Sequence, residues 1–160
     1  MPRIAITGHV HLSVETTALV STSVTEALRE FDGEELHGVT CLADGADRIF
    51  ARAVLALHGT IEVILPAGDY RQCALAAPGA ADFAELLGRA QVVHTMPYEV
   101  SSREAYLAAS EDMLDRCDLL FAVWDGEPSR TLGDTAHVVW TAQHRHVPIR
   151  VLWPAGSGRR

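Results

Sequence analysis

The sequence predicts a single three-layer α/β/α domain built on a mainly parallel sheet. Short apolar runs alternate with longer amphipathic stretches roughly five times along the chain, a pattern that places helices on both faces of a parallel sheet. Three of those runs stop abruptly in small, turn-forming and acidic residues, and a helical pattern comes after each stop. No repeat, low-complexity segment or long linker divides the 160 residues, a length that suits one domain.

Each element has its own justification. Residues 3–7 (Arg-Ile-Ala-Ile-Thr) are apolar enough for a central strand. A helix is predicted from Ser13, its N-cap, to Phe31, with Val20, Val24 and Leu28 on one face and Asp32-Gly33 as its stop. The second strand is 38–42. Asp44 or Asp47 caps the next helix, which carries Ile49, Val54 and Leu57 and ends at His58-Gly59. The third strand, 61–65, stops at Pro66-Ala67-Gly68. The Pro/Gly/Ala-rich stretch 66–80 reads as an irregular rim loop, leading to a short helix over 81–88 and a fourth strand at 91–94. A helix over 102–117 succeeds the Ser101-Ser102 turn. The fifth strand, 118–124, is the most apolar, and a loop (125–132), a helix (133–145) and a last strand (148–153) complete the alternation. The expected organisation is one domain over 1–154 and a flexible tail over 155–160.

The chain is 48% hydrophobic with a formal net charge of −8. That suffices for an ordinary core, and its acidity predicts no nucleic-acid partner, because phosphate contacts need clustered Lys and Arg. Cys41, Cys73 and Cys117 lie far apart without a CxxC pair, so no zinc ribbon or thioredoxin-type site is expected. The odd cysteine count, with no signal-peptide pattern, fits a reducing cytoplasm. No apolar run reaches the ~18 residues a bilayer requires, so no membrane partner is expected.

In an open parallel sheet, ligands bind just past the carboxyl ends of the strands, and the three punctuated stops would share that edge. The first is Thr7-Gly8-His9. Gly8 permits close backbone approach to a ligand, and a side chain there is expected to block a phosphate without unfolding the domain. His9 and His11 share a strand-like spacing, but with no carboxylate nearby in sequence no metal is expected. The second stop is Ala43-Asp44-Gly45-Ala46-Asp47, whose carboxylates suit ribose hydroxyls or a base, or plain helix capping. The third is Trp124-Asp125-Gly126, with Gly133-Asp134-Thr135 at the next helix start. Free N–H groups and the positive dipole end favour an anion there, with Arg130 as a nearby cation. Asp125 and Asp44 are the candidates for acid–base catalysis. There is no GxGxxG, GxxxxGK[ST] or HExxH motif.

Taken in order, Ile6-Thr7-Gly8-His9, the 43–47 turn, and 118–126 with Gly133-Asp134-Thr135 after it resemble the SLOG superfamily. That group includes the Lonely Guy–type nucleotide phosphoribohydrolases and the Rossmann domain of DNA-processing protein A. The C-terminal third also resembles nucleoside 2-deoxyribosyltransferases, in which an apolar strand ending in Asp-Gly precedes a Gly-Thr-led helix. The resemblance implies a Rossmann-like domain, a ligand with a ribose and a phosphate, and a homodimer. The ligand contacts it implies, joined to those read from the turns, are Thr7, Gly8, His9, Gly45, Asp47, Gly126, Arg130, Gly133, Asp134 and Thr135. Both enzyme groups carry a catalytic Glu three residues after the Thr, where this chain has Val138, and Asp134 replaces a glycine. The expected function is therefore binding of a nucleotide-derived small molecule without a further cofactor, in a role such as sensing. An N-glycosidase releasing a free base, and a purely structural domain, are the alternatives.

Overall fold

The structure, a computed structural model, describes residues 2–159. Its elements run β1 (Arg3–Gly8), α1 (Val14–Arg29), β2 (His37–Thr40), α2 (Ala46–Ala56), β3 (Thr60–Leu65), α3 (Tyr70–Leu75), α4 (Ala80–Gly88), β4 (Val92–Thr95), α5 (Arg103–Asp115), β5 (Leu119–Val123), α6 (Thr135–His144) and β6 (Ile149–Val151). The strands form one sheet in the order β4-β3-β2-β1-β5-β6. Every pairing is parallel. The chain winds outward from β1 to β4, then crosses to β5 on the other side. The β1/β5 boundary is thus the topological switch point, where such sheets open a crevice. Pairing of Gly8 with Val123 brings the Gly8-His9 and Trp124-Asp125 turns side by side.

Strand alternation builds the three layers. Ile4 and Ile6 face the larger core with Val20, Val24, Phe50, Phe83 and Phe121. Ala5 faces the other, with Val39, Ile64, Leu120, Met113 and Val138. Phe50 and Phe121 meet edge-on with centroids 6.1 Å apart. Helices α1, α2 and α4 cover the first face, α5 and α6 the second.

Ser13 and Ser102 cap α1 and α5, accepting hydrogen bonds from the Thr16 and Ala105 N–H groups at 3.1 Å. The cap of α2 differs from expectation. Gly45 occupies it at φ +83°, without a side-chain cap. Asp44 instead accepts from the Gly45 N–H at 2.9 Å, and Asp47 turns back to the Ala43 N–H at 3.3 Å. The stretch 66–80 is less irregular than its composition suggested. It contains α3, and it is pinned by the Gly68 N–H to the Tyr98 carbonyl (2.8 Å) and by Ser101 to the Asp69 carboxylate. Residues 155–159, expected to fray, run back along α1. The Ser13 N–H donates to the Gly158 carbonyl, the Gly158 N–H donates to Thr16 Oγ1 at 2.6 Å, and Arg159 bridges Leu12.

The amino-terminal half of the sheet is closed by charge. Buried Glu62 accepts from Arg3 Nη2 (2.7 Å) and Arg116 Nη1 (3.0 Å), and lies 3.0 Å from His37 Nε2 and 2.6 Å from His94 Nε2. Burial would push its carboxyl up, but hydrogen bonds from His37, His94 and Arg3 outweigh that and bring it down to about 2.

Candidate functional site

A cavity of about 480 Å³ opens at the carboxyl edge of the sheet, over the ends of β1, β2 and β5. That size suits a mononucleotide-scale ligand, which pockets of roughly 300–1,000 Å³ accommodate. Thr7, Gly8, His9, Asp44, Asp47, Asp125, Arg130, Gly133, Asp134 and Thr135 all line it. Gly45 and Gly126 do not. At Gly45 an added Cβ would stand 2.7 Å from the His9 carbonyl oxygen and 2.8 Å from that of Val10. Gly126 supplies the left-handed turn after Asp125, at φ +86°.

One end of the cavity is the amino terminus of α6. The Asp134 carboxylate accepts from Ser129 Oγ (2.9 Å) and from the N–H groups of Arg130 (2.8 Å), Thr131 (3.3 Å) and His137 (2.9 Å). The cap thus holds the 129–134 loop shut on itself, and those hydrogen bonds overcome burial to keep the carboxyl below the usual range. The N–H groups of Thr135 and Ala136 have no acceptor among the described residues. They lie at the cavity wall with Arg130. Arg159, delivered by the returning chain end, lines the same cavity with Nη1 3.6 Å from Asp125 Oδ2.

His9 and Asp125 join β1 to β5 beneath this end. The Asp125 N–H donates to His9 Nε2 at 3.1 Å, so that nitrogen carries no proton. Burial, and then Arg159, lower the imidazole's affinity for a proton. The 3.2 Å approach of Asp125 Oδ1 to His9 is therefore not an ion pair. Burial would raise Asp125, but the Glu127 N–H and the Arg159 charge hold it low, as an ionised acceptor. Among the described residues, no group of three or more His, Cys, Asp or Glu side chains is placed to hold a metal ion.

Gly8 corrects one expectation. A Cβ there would stand 2.4 Å from Ala46 Cβ and 2.8 Å from Val123 Cβ. The missing side chain lets β1, β5 and α2 close together, so a valine would strain that packing before it met any ligand.

The other end of the cavity was not anticipated. Cys41, Tyr70, Tyr106, Ser110 and Met113 line it together with Asp47. They come from β2's end, α3, α5 and α2. Leu42, next to Cys41, is buried at φ +55°, a conformation disfavoured for a branched side chain. Tyr70 and Tyr106 meet edge-on at 6.1 Å. Asp47 is 6% exposed, and burial pushes its carboxyl up to about 7 against hydrogen bonds from the Ala43 and Cys41 N–H groups and the Thr40 hydroxyl. The neighbouring guanidinium of Arg48 is turned to the Leu42 and Gly79 carbonyls, at 3.1 and 3.2 Å. The only sequence signal for this end was Asp47 itself. Val138, at the position where the enzyme relatives were expected to carry Glu, is buried and lines the cavity.

Fold and site together define a parallel α/β domain with a ligand-sized crevice at its switch point. No family model and no curated protein matches the chain. Solved structures do match in fold. DNA processing protein A from Streptococcus pneumoniae superposes with a TM-score of 0.67 at 14% identity, over 94% of this chain and 50% of that one. The same protein from Helicobacter pylori, described for its single-stranded DNA binding mode, gives 0.62 at 15% identity, over 94% and 64%. The molybdenum cofactor binding protein from the phototrophic bacterium Rippkaea orientalis gives 0.57 at 15% identity, over 94% and 75%. The chain thus spans about half the length of the S. pneumoniae protein. The resemblance to SLOG proteins, DNA-processing protein A among them, holds at the level of the fold. One expectation is overturned: acidity does not exclude a nucleic-acid partner for this fold, because a protein that shares it binds single-stranded DNA. Net charge describes the whole surface, whereas a strand needs only a local run of contacts. No helix among the described residues is long and apolar enough to cross a membrane.

Proposed function

We propose that the cavity binds a nucleotide or nucleotide-derived ligand, ribose and phosphate included, as a cytoplasmic binding or sensing module without strong turnover. The observation that carries this reading is the polarity of the cavity. Open N–H groups of Thr135 and Ala136, with Arg130 and Arg159, stand at one end, and a buried acid with two tyrosines at the other. A phosphate is matched by the first end and a ring by the second. Val138 supports binding over hydrolysis. Glycosidic cleavage needs a carboxylate to stabilise an oxocarbenium-like state, and an isopropyl group supplies none.

A melting-temperature screen tests the reading, with nucleoside monophosphates, ribose 5-phosphate, ADP-ribose, molybdenum cofactor and a short single-stranded oligonucleotide, and with base release monitored in parallel. A ligand selective for the native state raises the melting temperature by mass action. A rise without released base is expected. Released base would make this an N-glycosidase, and no rise with any ligand would leave the domain structural. A rise with the oligonucleotide alone would transfer the site to a polymer.

A further inference from the structure

The cavity's inner end has a chemistry of its own. Asp47 lies there at 6% exposure on the cavity wall, its Oδ2 taken by the Ala43 N–H at 3.3 Å. The groups that surround it are Thr40 from β2 and Cys41 just after it, Arg48 from its own helix, Tyr70 from α3 and Tyr106 from α5. Arg48 gives its Nε–H and one Nη1–H to the Leu42 and Gly79 carbonyls, and its charge draws the Asp47 carboxyl down by less than burial pushes it up. Among the described residues, no lysine or arginine side chain lines this end, so an anionic group has no partner in it. The Tyr70 and Tyr106 rings and Met113 instead provide an apolar and polarisable wall for a flat ring.

Resting on the nucleotide reading of the cavity, we propose that the inner end is a heterocycle site in which Asp47, as a neutral carboxylic acid, reads a ring edge that carries a hydrogen-bond acceptor beside a donor. A neutral carboxyl offers one O–H donor and one carbonyl acceptor side by side, which matches such an edge with two bonds. An ionised carboxylate offers acceptors only and would meet the ring's acceptor with repulsion. The desolvated setting of Asp47, which favours its uncharged form near neutrality, agrees with that state. The ring occupies the inner end, and the phosphate lies toward Thr135, Ala136 and Arg130. Buried polar readers reject analogues that leave them unpaired, by factors well above those of an apolar pocket.

The test uses AMP, IMP and CMP as edge-bearing probes, purine ribonucleoside 5′-monophosphate as a probe with an acceptor and no donor, and ribose 5-phosphate as one without a ring. Affinities are measured by calorimetry at pH 6 and pH 8. At least one edge-bearing probe should bind about tenfold or more tighter than the purine analogue, as expected for a buried reader left unpaired. Its binding should weaken from pH 6 to pH 8. Asp47→Asn presents the same donor and acceptor, so it should keep the preference and lose the pH dependence. Asp47→Leu should remove the preference, with its fold checked by melting. If the purine analogue binds as tightly as AMP, IMP and CMP, or if Asp47→Leu retains the preference, the inference falls while nucleotide binding stands. If neither the nucleotides nor ribose 5-phosphate bind, the nucleotide reading falls and takes the inference with it.

Discussion

Asp47→Asn is also a test of stability, because a buried acid is held at a cost to the fold. The carboxyl has an ordinary value of 3.8 and stands at about 7 when folded. A group raised on folding gives its full stability below its unfolded value and loses it as the pH rises through the folded one. The gap is about 3 pH units, and each is worth about 1.4 kcal/mol, so wild type should lose on the order of 4 kcal/mol from this group between pH 4 and pH 8. Asparagine does not titrate. Hydrogen bonds from Ala43, Cys41 and Thr40 favour a carboxylate and are only partly kept by an amide, which sets the difference between the proteins at pH 4. The informative quantity is how that difference moves. From pH 4 to pH 8 it should swing by on the order of 4 kcal/mol in favour of Asp47→Asn, a relative gain of about 8–16 °C at about 2–4 °C per kcal/mol. Urea unfolding of both proteins at the two pH values measures it. A swing below about 1 kcal/mol would mean that Asp47 stays ionised in the fold, and the neutral-acid argument would be refuted.

Glu62→Gln should act with the opposite sign. Its carboxyl is held at about 2 against an ordinary 4.5, so the charge contributes about 3 kcal/mol above pH 4.5, a contribution lost as the pH falls toward 2. Urea unfolding should show the variant weaker at pH 7 and level with wild type near pH 2. Gly8→Val should overpack the contact with Ala46 and Val123, costing about 1–3 kcal/mol or more, seen as a lower melting temperature with no ligand present. Asp134→Ala removes a helix cap and the bonds that close the 129–134 loop, and about 2 kcal/mol or a fall of about 4–8 °C is expected. Arg159→Ala should weaken a nucleoside monophosphate about tenfold in calorimetry and leave the matching nucleoside unchanged, as loss of a phosphate partner would.

The fold was legible because its signals are local and repeated. Apolar runs with turn residues at their carboxyl ends mark β1, β2 and β5, and serine caps mark the starts of α1 and α5. The α3 helix was hidden because none of its residues is buried, so it leaves no apolar period to read. The α2 cap was misassigned because two acids flank a glycine, and the left-handed backbone at Gly45, not side-chain chemistry, decided which residue took the position. The α6 end of the cavity was legible as a cluster because its residues come after one strand in sequence. The inner end was not, because Cys41, Tyr70, Tyr106 and Met113 arrive from separate elements, and only strand order brings them together. Arg159 was discounted with the tail. Its placement depends on Thr16 and Ser13, at the opposite end of the chain, and no local pattern announces such a contact.

The two edges of the sheet differ in how well their charged groups are matched. Near its amino-terminal edge, Glu62 meets four donors and its charge is matched. At the carboxyl edge the groups are mismatched. Asp47 is buried beside an Arg48 guanidinium turned to backbone carbonyls, Leu42 is held in a disfavoured conformation, and two helix N–H groups have no acceptor among the described residues. On the proposed reading, a flat polar ring joined to an anion would engage the first and the last of these. The His9–Asp125 contact lies between them and is already paired, which makes it the brace of the crevice and not its reader. Substitution of His9 should therefore shift the affinities for ring and phosphate together, whereas Asp47 and Arg159 should shift them separately.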